Sequence, residues 1–485
     1  MPRTRRLLSF ISLVFPLTFV LSAQAAQVTV SGRKLLVDGV PFVIKGVNYS
    51  PTRAGSRIDL DSPTSYNVFA DTQTWLNDFP LLKAMGVNTL RLSHAVNATQ
   101  GFLDAAQQNG FHVVMGYSVN DRWNAADAST QAVVKAQVRA MVSAWKDHPA
   151  VLMWSIGNEE TGPQLPAIGA LSDSGRLSWY NFLNNDLAAL VKGIDANHPI
   201  TTAIVDVGDI GKTAFGTMDS NLPNVDLWGA NIYRGPSFGD AFSVLAATTS
   251  KPVWFSEFGS DAYNSVAGRE DQEQQASDIS AQWMEINRNL SATGAGILAG
   301  GCVFSWSDEW WKGAGATGGA GGDFVQDTAV DWTNPAYADP GINEEWWGIV
   351  AITSGTSQPA KRLRQAYYAL RDLWTPSTIV DSGSVFSGSV INAPNPFPPG
   401  GTTTLYIPID GTADSVSAVV FDEAYHKVSD LVVNPAQNAH GNYAAVWNGR
   451  DSNGNMVSPG VYVVRVEASA RRRDAVKYRK VVVVP

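Results

Sequence analysis

The segment VLMWSIGNEE, from Val151 to Glu160, passes from a continuous apolar stretch into three consecutive polar side chains. An apolar run without alternation, here Val151–Ile156, is typical of a strand buried on both faces, as in a parallel sheet covered by helices. The segment therefore predicts a buried strand whose carboxyl end presents Asn158 and Glu159. Such a pair either caps a following helix or forms part of a site with residues from elsewhere in the chain.

Similar apolar runs recur along the chain and predict the remaining strands. They are Phe42–Val47, Thr89–Leu92, His112–Tyr117, Ile200–Val205, Leu227–Ile232, Val253–Phe258 and Gly301–Trp306. Helical patterns separate most of them, for example Gln131–Lys146, Leu177–Ile194 and Asp271–Asn289. Eight alternations predict an α/β fold of the (β/α)8 TIM barrel type, sealed by a last helix over Lys361–Leu373. An open doubly wound sheet is the alternative, but no glycine-rich turn follows the first strand.

Both ends of the chain differ in composition from the barrel. Three arginines precede the apolar run Leu7–Leu21, and Ala23-Gln24-Ala25 follows it, which predicts a secretory signal peptide over residues 1–25. The protein is therefore expected to be secreted, periplasmic or on the cell surface of a bacterium, with no membrane segment after cleavage. We predict the barrel domain at 26–374, a linker at 375–389 and a small all-β sandwich at 390–485.

Composition excludes several classes of partner and cofactor. The formal charge is −9, which disfavours binding to nucleic acid and fits a neutral ligand. Cys302 is the only cysteine, so no intramolecular disulfide can form, and six histidines without clustered spacing predict no metal site. Gly313–Gly318 matches G-x-G-x-x-G, but further glycines follow where a helix would be required. We expect no cofactor.

Two glutamates end predicted strands four and seven. Glu257 lies within the apolar run Val253–Phe258, where an unpaired carboxylate would cost several kcal/mol, so a functional role is expected for it. Glu159 alone is ambiguous. Because the carboxyl ends of barrel strands meet at one face, the two are expected to share a cleft, where a pair about 5–5.5 Å apart can hydrolyse a glycoside by double displacement. Glu160 is expected to be a bystander.

These strand ends carry a family resemblance. Gly157-Asn158-Glu159 and Ser256-Glu257-Phe258-Gly259 resemble the retaining β-glycosidases of clan A. The resemblance implies Glu159 as acid/base and Glu257 as nucleophile. It also implies four substrate-binding or supporting residues: Arg91, which keeps the nucleophile ionised; Asn158, the partner of the sugar 2-hydroxyl; Tyr233, hydrogen-bonded to the nucleophile; and Trp306, a platform beneath the sugar. Separately from the resemblance, His94 is expected to contact the sugar because it lies just beyond Arg91.

The resemblance leaves the substrate open. The segment from Ile44 to Pro51, with Phe255–Gly259, resembles β-1,3-glucanosyltransferases and endo-β-1,3-glucanases, whereas the Asn-Glu strand also resembles the family of β-galactosidase and β-glucuronidase. A β-linked poly- or oligosaccharide, with endo action on β-1,3-glucan favoured, is the expected substrate. Transglycosylation and a non-catalytic carbohydrate-binding barrel are the alternatives. Two C-terminal segments, NAPNPFPPGGTTTLYIPI (392–409) and WNGRDSNGNMVSPGVYVVRV (447–466), resemble the FlgD-type immunoglobulin-like module. Oligomeric state is not predicted.

Sixteen tryptophans are available to stack on sugar rings. Two of the tryptophan pairs follow acidic residues, in Asp308-Glu309-Trp310-Trp311 and Glu344-Glu345-Trp346-Trp347. These segments either line outer sugar subsites or form solvated loops packed by their tryptophans.

Overall fold

The computed structural model describes residues 26–56, 58, 66–119, 127–160, 173–312, 325–352, 361–375, 385–387, 390–398, 400–422, 426–438, 442–470 and 473–484. The predicted signal peptide, most of the predicted linker and the glycine-rich segment 313–318 lie outside these residues. The domain boundaries given above remain predictions.

A small antiparallel sheet precedes the barrel. It comprises β1 (Val28–Ser31), β2 (Lys34–Val37) and β3 (Val40–Pro41). Asp38 and Gly39 form its second turn with φ of 49° and 80°, the left-handed pair that a two-residue hairpin requires. Leu35 of this sheet is buried with Ile44 and Met153 in one apolar cluster, so the sheet covers one end of the barrel.

Eight parallel strands close into a barrel, which confirms the predicted fold class. The strands of this part of the chain are β4 (Ile44–Asn48), β5 (Thr89–Leu92), β6 (His112–Tyr117), β7 (Val151–Asn158), β8 (Ile200–Ile204), β9 (Leu227–Asn231), β10 (Val253–Phe258), the short hairpin β11 (Tyr263–Asn264) and β12 (Arg269–Glu270), and β13 (Leu298–Val303). The hydrogen-bonded order around the barrel is β10-β13-β4-β5-β6-β7-β8-β9. All eight barrel strands correspond to predicted apolar runs.

The predicted eighth strand is displaced by three residues. Strand β13 ends at Val303, which pairs with Val47, whereas the sequence predicted Gly301–Trp306. Leu298 pairs with Val253 of β10, so pairing begins earlier than the apolar run suggested. Trp306 consequently lies beyond the strand, where its backbone N–H donates to the Asn48 carbonyl at 3.0 Å.

Helices pack around the barrel. They are α1 (Thr72–Met85), α2 (Gln100–Gln108), α3 (Ala128–Trp145), α4 (Asp173–Phe182), α5 (Ala189–Ile194), α6 (Ala241–Thr248), α7 (Gln272–Arg288) and α8 (Gln365–Trp374). A π-helical segment, Leu183–Ala188, joins α4 to α5. Asp127 and Asp271 cap α3 and α7 by accepting backbone N–H groups.

The last helix starts later than predicted. Between β13 and α8 the chain forms β14 (Trp332–Thr333), β15 (Gly341–Ile342), the 3-10 turn Glu344–Trp346, β16 (Val350–Ile352) and β17 (Lys361–Leu363). Lys361–Leu363, expected to be helical, instead pairs with β16. The helix therefore begins only at Gln365. Among the helices that the structure describes, none combines the length and apolar character needed to cross a bilayer.

The C-terminal part is all-β, as predicted. Its strands are β18 (Ile391–Ala393), β19 (Thr403–Pro408), β20 (Ser415–Phe421), β21 (Lys427–Leu431), β22 (Asn442–Trp447), β23 (Gly460–Ala470) and β24 (Arg473–Val483). They form two sheets, β18-β19-β22 and β21-β20-β23-β24. Side chains such as Phe397, Leu405, Trp447 and Val464 form a core separate from that of the barrel, as in a sandwich.

Candidate active site

The turn after β7 places Glu159 at the carboxyl end of the barrel. Gly157 and Glu159 both have positive φ, of 86° and 59°, so the chain turns sharply where the strand ends. A side chain at position 157 would approach Trp179 to 2.7 Å, which explains the glycine. The Glu159 N–H donates to the Ala203 carbonyl at 2.8 Å. This bond to β8 holds a left-handed glutamate, a conformation that costs about 1–3 kcal/mol.

Glu159 has the environment of a proton donor. Its carboxyl group is half-buried and receives one hydrogen bond, from Asn231 Nδ2 to Oε1 at 2.9 Å. Burial, followed by repulsion from Glu257, raises the pKa of Glu159 to about 7. A carboxyl group with such a pKa retains its proton near neutral pH and can deliver it to a leaving oxygen.

Glu257 has the opposite environment. It is 7% exposed, and its Oε1 receives Arg91 Nη1 at 2.6 Å while its Oε2 receives the Tyr233 hydroxyl at 2.8 Å. Both donors stabilise the ionised form. Burial and the charge of Glu257 raise the pKa of the Tyr233 hydroxyl well above its ordinary value, so it remains a donor. The two carboxyl groups thus lie in different environments, because Glu257 accepts from a guanidinium and a hydroxyl whereas Glu159 accepts from an amide.

Arg91 connects the site. The buried guanidinium donates from Nη1 to Asn48 Oδ1 at 2.5 Å as well as to Glu257, and from Nη2 to Asn158 Oδ1 at 2.6 Å. Strands β4, β5, β7 and β10 therefore meet at one side chain. A planar, permanently charged donor fork suits this position, because lysine cannot reach three acceptors in fixed directions.

Asn231 and Asn48 were not selected from the sequence. Asn231, fully buried at the end of β9, donates to Asn158 Oδ1 at 3.2 Å as well as to Glu159, and accepts from the Ser256 hydroxyl at 2.7 Å. Asn158 Oδ1 thus accepts from two donors, Arg91 and Asn231. The signal that could have found both residues is an asparagine ending an apolar strand.

The predicted platform residue, Trp306, is not available to a sugar. Its side chain is fully buried in the main apolar core, with its ring 6.3 Å from that of Tyr367. Since β13 ends three residues early, the aromatic residue next to the site is Phe304. Its ring lies 5.9 Å from Trp347, whose ring lies 4.9 Å from Tyr233. Phe304, Trp347 and Tyr233 form one aromatic wall beside Glu257.

His94 is half-buried beside Tyr117, with the two ring centres 5.2 Å apart. Burial lowers the pKa of the imidazole to about 4, so the ring is neutral near pH 7. Its Nδ1 is buried without a hydrogen-bond partner among the described residues. The predicted sugar contact of His94 remains a prediction.

The acidic-aromatic segments are neither wholly solvated nor equivalent. Asp308 is fully buried and paired with Arg364, at 2.5 Å to Nη1, and Glu345 is fully buried, accepting the Asp327 N–H at 2.6 Å. Asp308 and Glu345 thus connect their segments to Arg364 and Asp327. Their neighbours Glu309 and Glu344 instead flank Lys312, at 2.9 and 3.4 Å from its Nζ.

Glu160, expected to be a bystander, is fully buried. Its Oε1 accepts the Asn158 N–H at 3.2 Å, while Oε2 lacks a partner among the described residues, as does the buried Thr202 hydroxyl. Burial raises the pKa of Glu160 to about 8. A largely neutral carboxylic acid therefore lies directly behind the Asn158-Glu159 turn.

Comparisons with known proteins agree with the observed fold. The model of the family "Glycosyl hydrolases family 2, TIM barrel domain" matches residues 28–285, more than half of the chain, and that of the FlgD Ig-like domain matches residues 395–471. The part of the chain that the structure describes contains no group of three or more His, Cys, Asp or Glu side chains placed to hold a metal ion.

Individual relatives are distant. The 1,3-beta-glucanosyltransferase GAS5 of Saccharomyces cerevisiae is 24% identical over 292 residues, covering 56% of this chain and 54% of that protein. The beta-glucuronidase of Mus musculus is 26% identical over 250 residues, covering 48% and 34%. The chain thus spans about half or less of these relatives. Bacteroides uniformis beta-glucuronidase 3 aligns with a TM-score of 0.52 at 12% identity, covering 94% of this chain and 51% of that one, which shows the shared fold.

Proposed function

The chain belongs to family 2 of the glycosyl hydrolases through its TIM barrel domain, and on this premise we propose that it is a retaining β-glycoside hydrolase using Glu159 and Glu257. The resemblance to the clan A barrels and to the FlgD Ig-like module is confirmed by the two family matches. The contrast between the two carboxyl groups carries the proposal. Arg91 and Tyr233 donate to Glu257 and favour its anionic form, whereas burial and the charge of Glu257 raise the pKa of Glu159 to about 7.

The reaction proceeds in two displacements. Glu257 attacks the anomeric carbon while the glycosidic C–O bond breaks, and the proton of Glu159 passes to the leaving oxygen. The Glu159 carboxylate then accepts a proton from water, whose oxygen bonds to the anomeric carbon and displaces Glu257. Arg91 and Tyr233 remain bonded to Glu257 oxygens when it leaves, which favours its departure as a carboxylate. Asn158, whose Oδ1 accepts from Arg91 and Asn231, would donate from its amide nitrogen to the sugar 2-hydroxyl.

A β-glucan is the favoured substrate, with β-1,3 linkage and endo action preferred. Support comes from the sequence resemblance of Ile44–Pro51 and from the glucanosyltransferase relative. Export of the protein follows from the predicted signal peptide. Transglycosylation is the alternative, because a sugar hydroxyl can replace water in the second step.

Covalent labelling tests the proposal. A 2-deoxy-2-fluoroglucoside with a good leaving group should inactivate the protein and add one sugar to the peptide containing Glu257, as read by mass spectrometry. Product anomers followed by NMR should show retention, and a polysaccharide panel with product-size analysis should identify the linkage. Full activity of Glu257→Gln, or inversion, would refute the assignment. Carbohydrate binding without labelling or turnover would favour a non-catalytic barrel.

A further inference from the structure

Lys312 lies between two carboxylates on the β13 side of the site. Its Nζ is 2.9 Å from Glu309 Oε2 and 3.4 Å from Glu344 Oε2, and 4.4 Å from the centre of the Phe304 ring. We call Glu309, Lys312 and Glu344 the Lys312 cluster. The amine sits over Phe304 at one end of the aromatic wall, and Tyr233 at the other end donates to Glu257.

Electrostatic effects place the cluster close to both catalytic carboxyl groups. The charge of Glu257 contributes to raising the pKa of Lys312 and that of Glu309, after larger effects of burial and of the ion pairs. The charge of Glu344 contributes to raising the pKa of Glu159. The cluster therefore belongs to the electrostatic environment of a sugar held between Glu159 and Glu257.

The cluster has hydrogen-bonding capacity left for a ligand. An ammonium group has three donors; one donates to Glu344 Oε2 at 3.4 Å, and Glu309 Oε2 lies 2.9 Å away as an ion-pair partner. Glu344 Oε1 accepts the Trp332 indole N–H at 2.7 Å, yet each carboxylate oxygen has a second lone-pair site. The side chains of Lys312 and Glu344 are 22% and 27% exposed. One ammonium donor beside carboxylate acceptors matches a hydroxyl or a pair of adjacent hydroxyls.

The charge balance disfavours an anionic sugar. Lys312 is shared by two carboxylates, and Arg91 already serves Glu257. Arg234, which follows Tyr233 in the chain, is bound to Asp206 and Asp240, each at 2.6 Å. Among the described residues of this region, the cations are thus matched or outnumbered by carboxylates. An added uronate group would meet repulsion in a poorly solvated cleft.

We propose that the Lys312 cluster determines specificity by binding hydroxyl groups of a neutral sugar beside the cleaved bond and by rejecting uronic acids. This inference rests on the proposed hydrolase function. It separates the two sugar types named in the relatives, since a glucanosyl group is neutral and a glucuronide carries a carboxylate.

Matched substrates that differ only at C6 test the inference on the full chain. The aryl β-glucoside and β-glucuronide form one pair, the galactoside and galacturonide a second, and β-1,3-glucan with its C6-carboxylated derivative a third. The neutral member of whichever pair is cleaved should have at least a 100-fold higher kcat/KM. Equal or faster cleavage of the uronic member would overturn the proposal.

Two variants assign the preference to the cluster. Lys312→Met should lower kcat/KM on the neutral substrate at least tenfold, and Glu344→Gln, by freeing Lys312, should raise the uronide-to-neutral ratio of kcat/KM at least tenfold. Lys192→Met is the matched control, because Lys192 forms a surface pair with Asp226 at 2.9 Å and should change neither value. A ratio within twofold of the parent in Glu344→Gln would overturn the assignment, even if Lys312→Met did not fold.

The fluorosugar experiment separates this inference from the function on which it depends. Labelling of Glu257 by a neutral reagent, together with preferred cleavage of a uronide, would leave the hydrolase standing and refute the specificity role. Absence of both labelling and turnover on every pair would refute the hydrolase and the specificity role together.

Discussion

Asn231 donates a hydrogen bond to Glu159 and, through the same amide nitrogen, one to Asn158, at 2.9 and 3.2 Å. The acid and the residue assigned to the sugar 2-hydroxyl are therefore oriented by one side chain of β9. The amide is itself oriented by the Ser256 hydroxyl, which lies beside Glu257 in the sequence. Asn231 thus connects the end of β7 with β10 by hydrogen bonds.

Asn231→Ala tests this link. The bond from Asn231 lowers the pKa of Glu159, so its loss should move the alkaline limb of the kcat/KM profile to higher pH. A hydrogen bond between neutral groups contributes about 0.5–1.5 kcal/mol, so kcat should fall roughly 2- to 12-fold. Ser256→Ala, which retains the Asn231–Glu159 bond, is the control. An equal shift of the limb in both variants would contradict the role of Asn231.

The charge of Glu257 should be visible in the titration of Glu159. With a pKa of about 7 for Glu159, kcat/KM of the parent should fall about tenfold per pH unit above pH 7, because the proton donor is lost. Glu257→Gln removes the repulsion that disfavours ionised Glu159, so the pKa of Glu159 should decrease. Carbon-13 NMR of the glutamate carboxyl groups follows it in this inactive variant. An unchanged titration would mean that the two carboxyl groups do not interact.

Arg91→Met should be severe in both activity and stability. The substitution leaves the buried Glu257 carboxylate without its counterion and Asn48 without its donor, and breaking a buried pair costs about 3–5 kcal/mol. Denaturant unfolding and single-turnover kinetics measure the two losses. Arg234→Met, at a more exposed pair with Asp206 and Asp240, should cost about 1 kcal/mol or less. Similar losses in both variants would argue against a special role for Arg91.

Sequence alone predicted what depends on strand periodicity. Eight apolar runs predicted the barrel and placed Glu159 and Glu257 at strand ends, and the family resemblance added Asn158, Arg91 and Tyr233. The structure brings these five residues together. The sequence did not predict features that depend on the pairing register of the strands. Trp306 lies two residues from Phe304, and only the pairing of β13 with β4 decides which of the two aromatic residues reaches the site. The burial of Glu160 could not be predicted from the sequence either, because a solvated glutamate and a buried one have the same local sequence.

The two aromatic residues should separate in their effects. Phe304→Ala should raise KM for the sugar, because it removes a ring from the wall beside Glu257, while thermal stability changes less. Trp306→Ala should mainly lower the free energy of unfolding, by about 3–5 kcal/mol, because it truncates a fully buried large side chain. Calorimetry and steady-state kinetics on the two variants give the comparison. A larger KM effect in Trp306→Phe than in Phe304→Leu, both conservative changes, would restore the original assignment of the platform to Trp306.

Glu160→Gln should stabilise the protein, increasingly so as the pH rises. The pKa of Glu160 is raised from 4.5 to about 8 in the folded state, so the folded protein binds a proton that the unfolded chain releases. Stability conferred by this proton is fully present below pH 4.5 and is lost as the pH rises through about 8. Glutamine keeps an acceptor for the Asn158 N–H and does not titrate.

Calorimetry at pH 5, 7 and 9 should give a melting temperature above that of the parent, with a difference that widens with pH. Glu273→Gln, at an exposed pair with Lys480, is the control. A constant difference across this range would show that Glu160 is ionised in the folded protein.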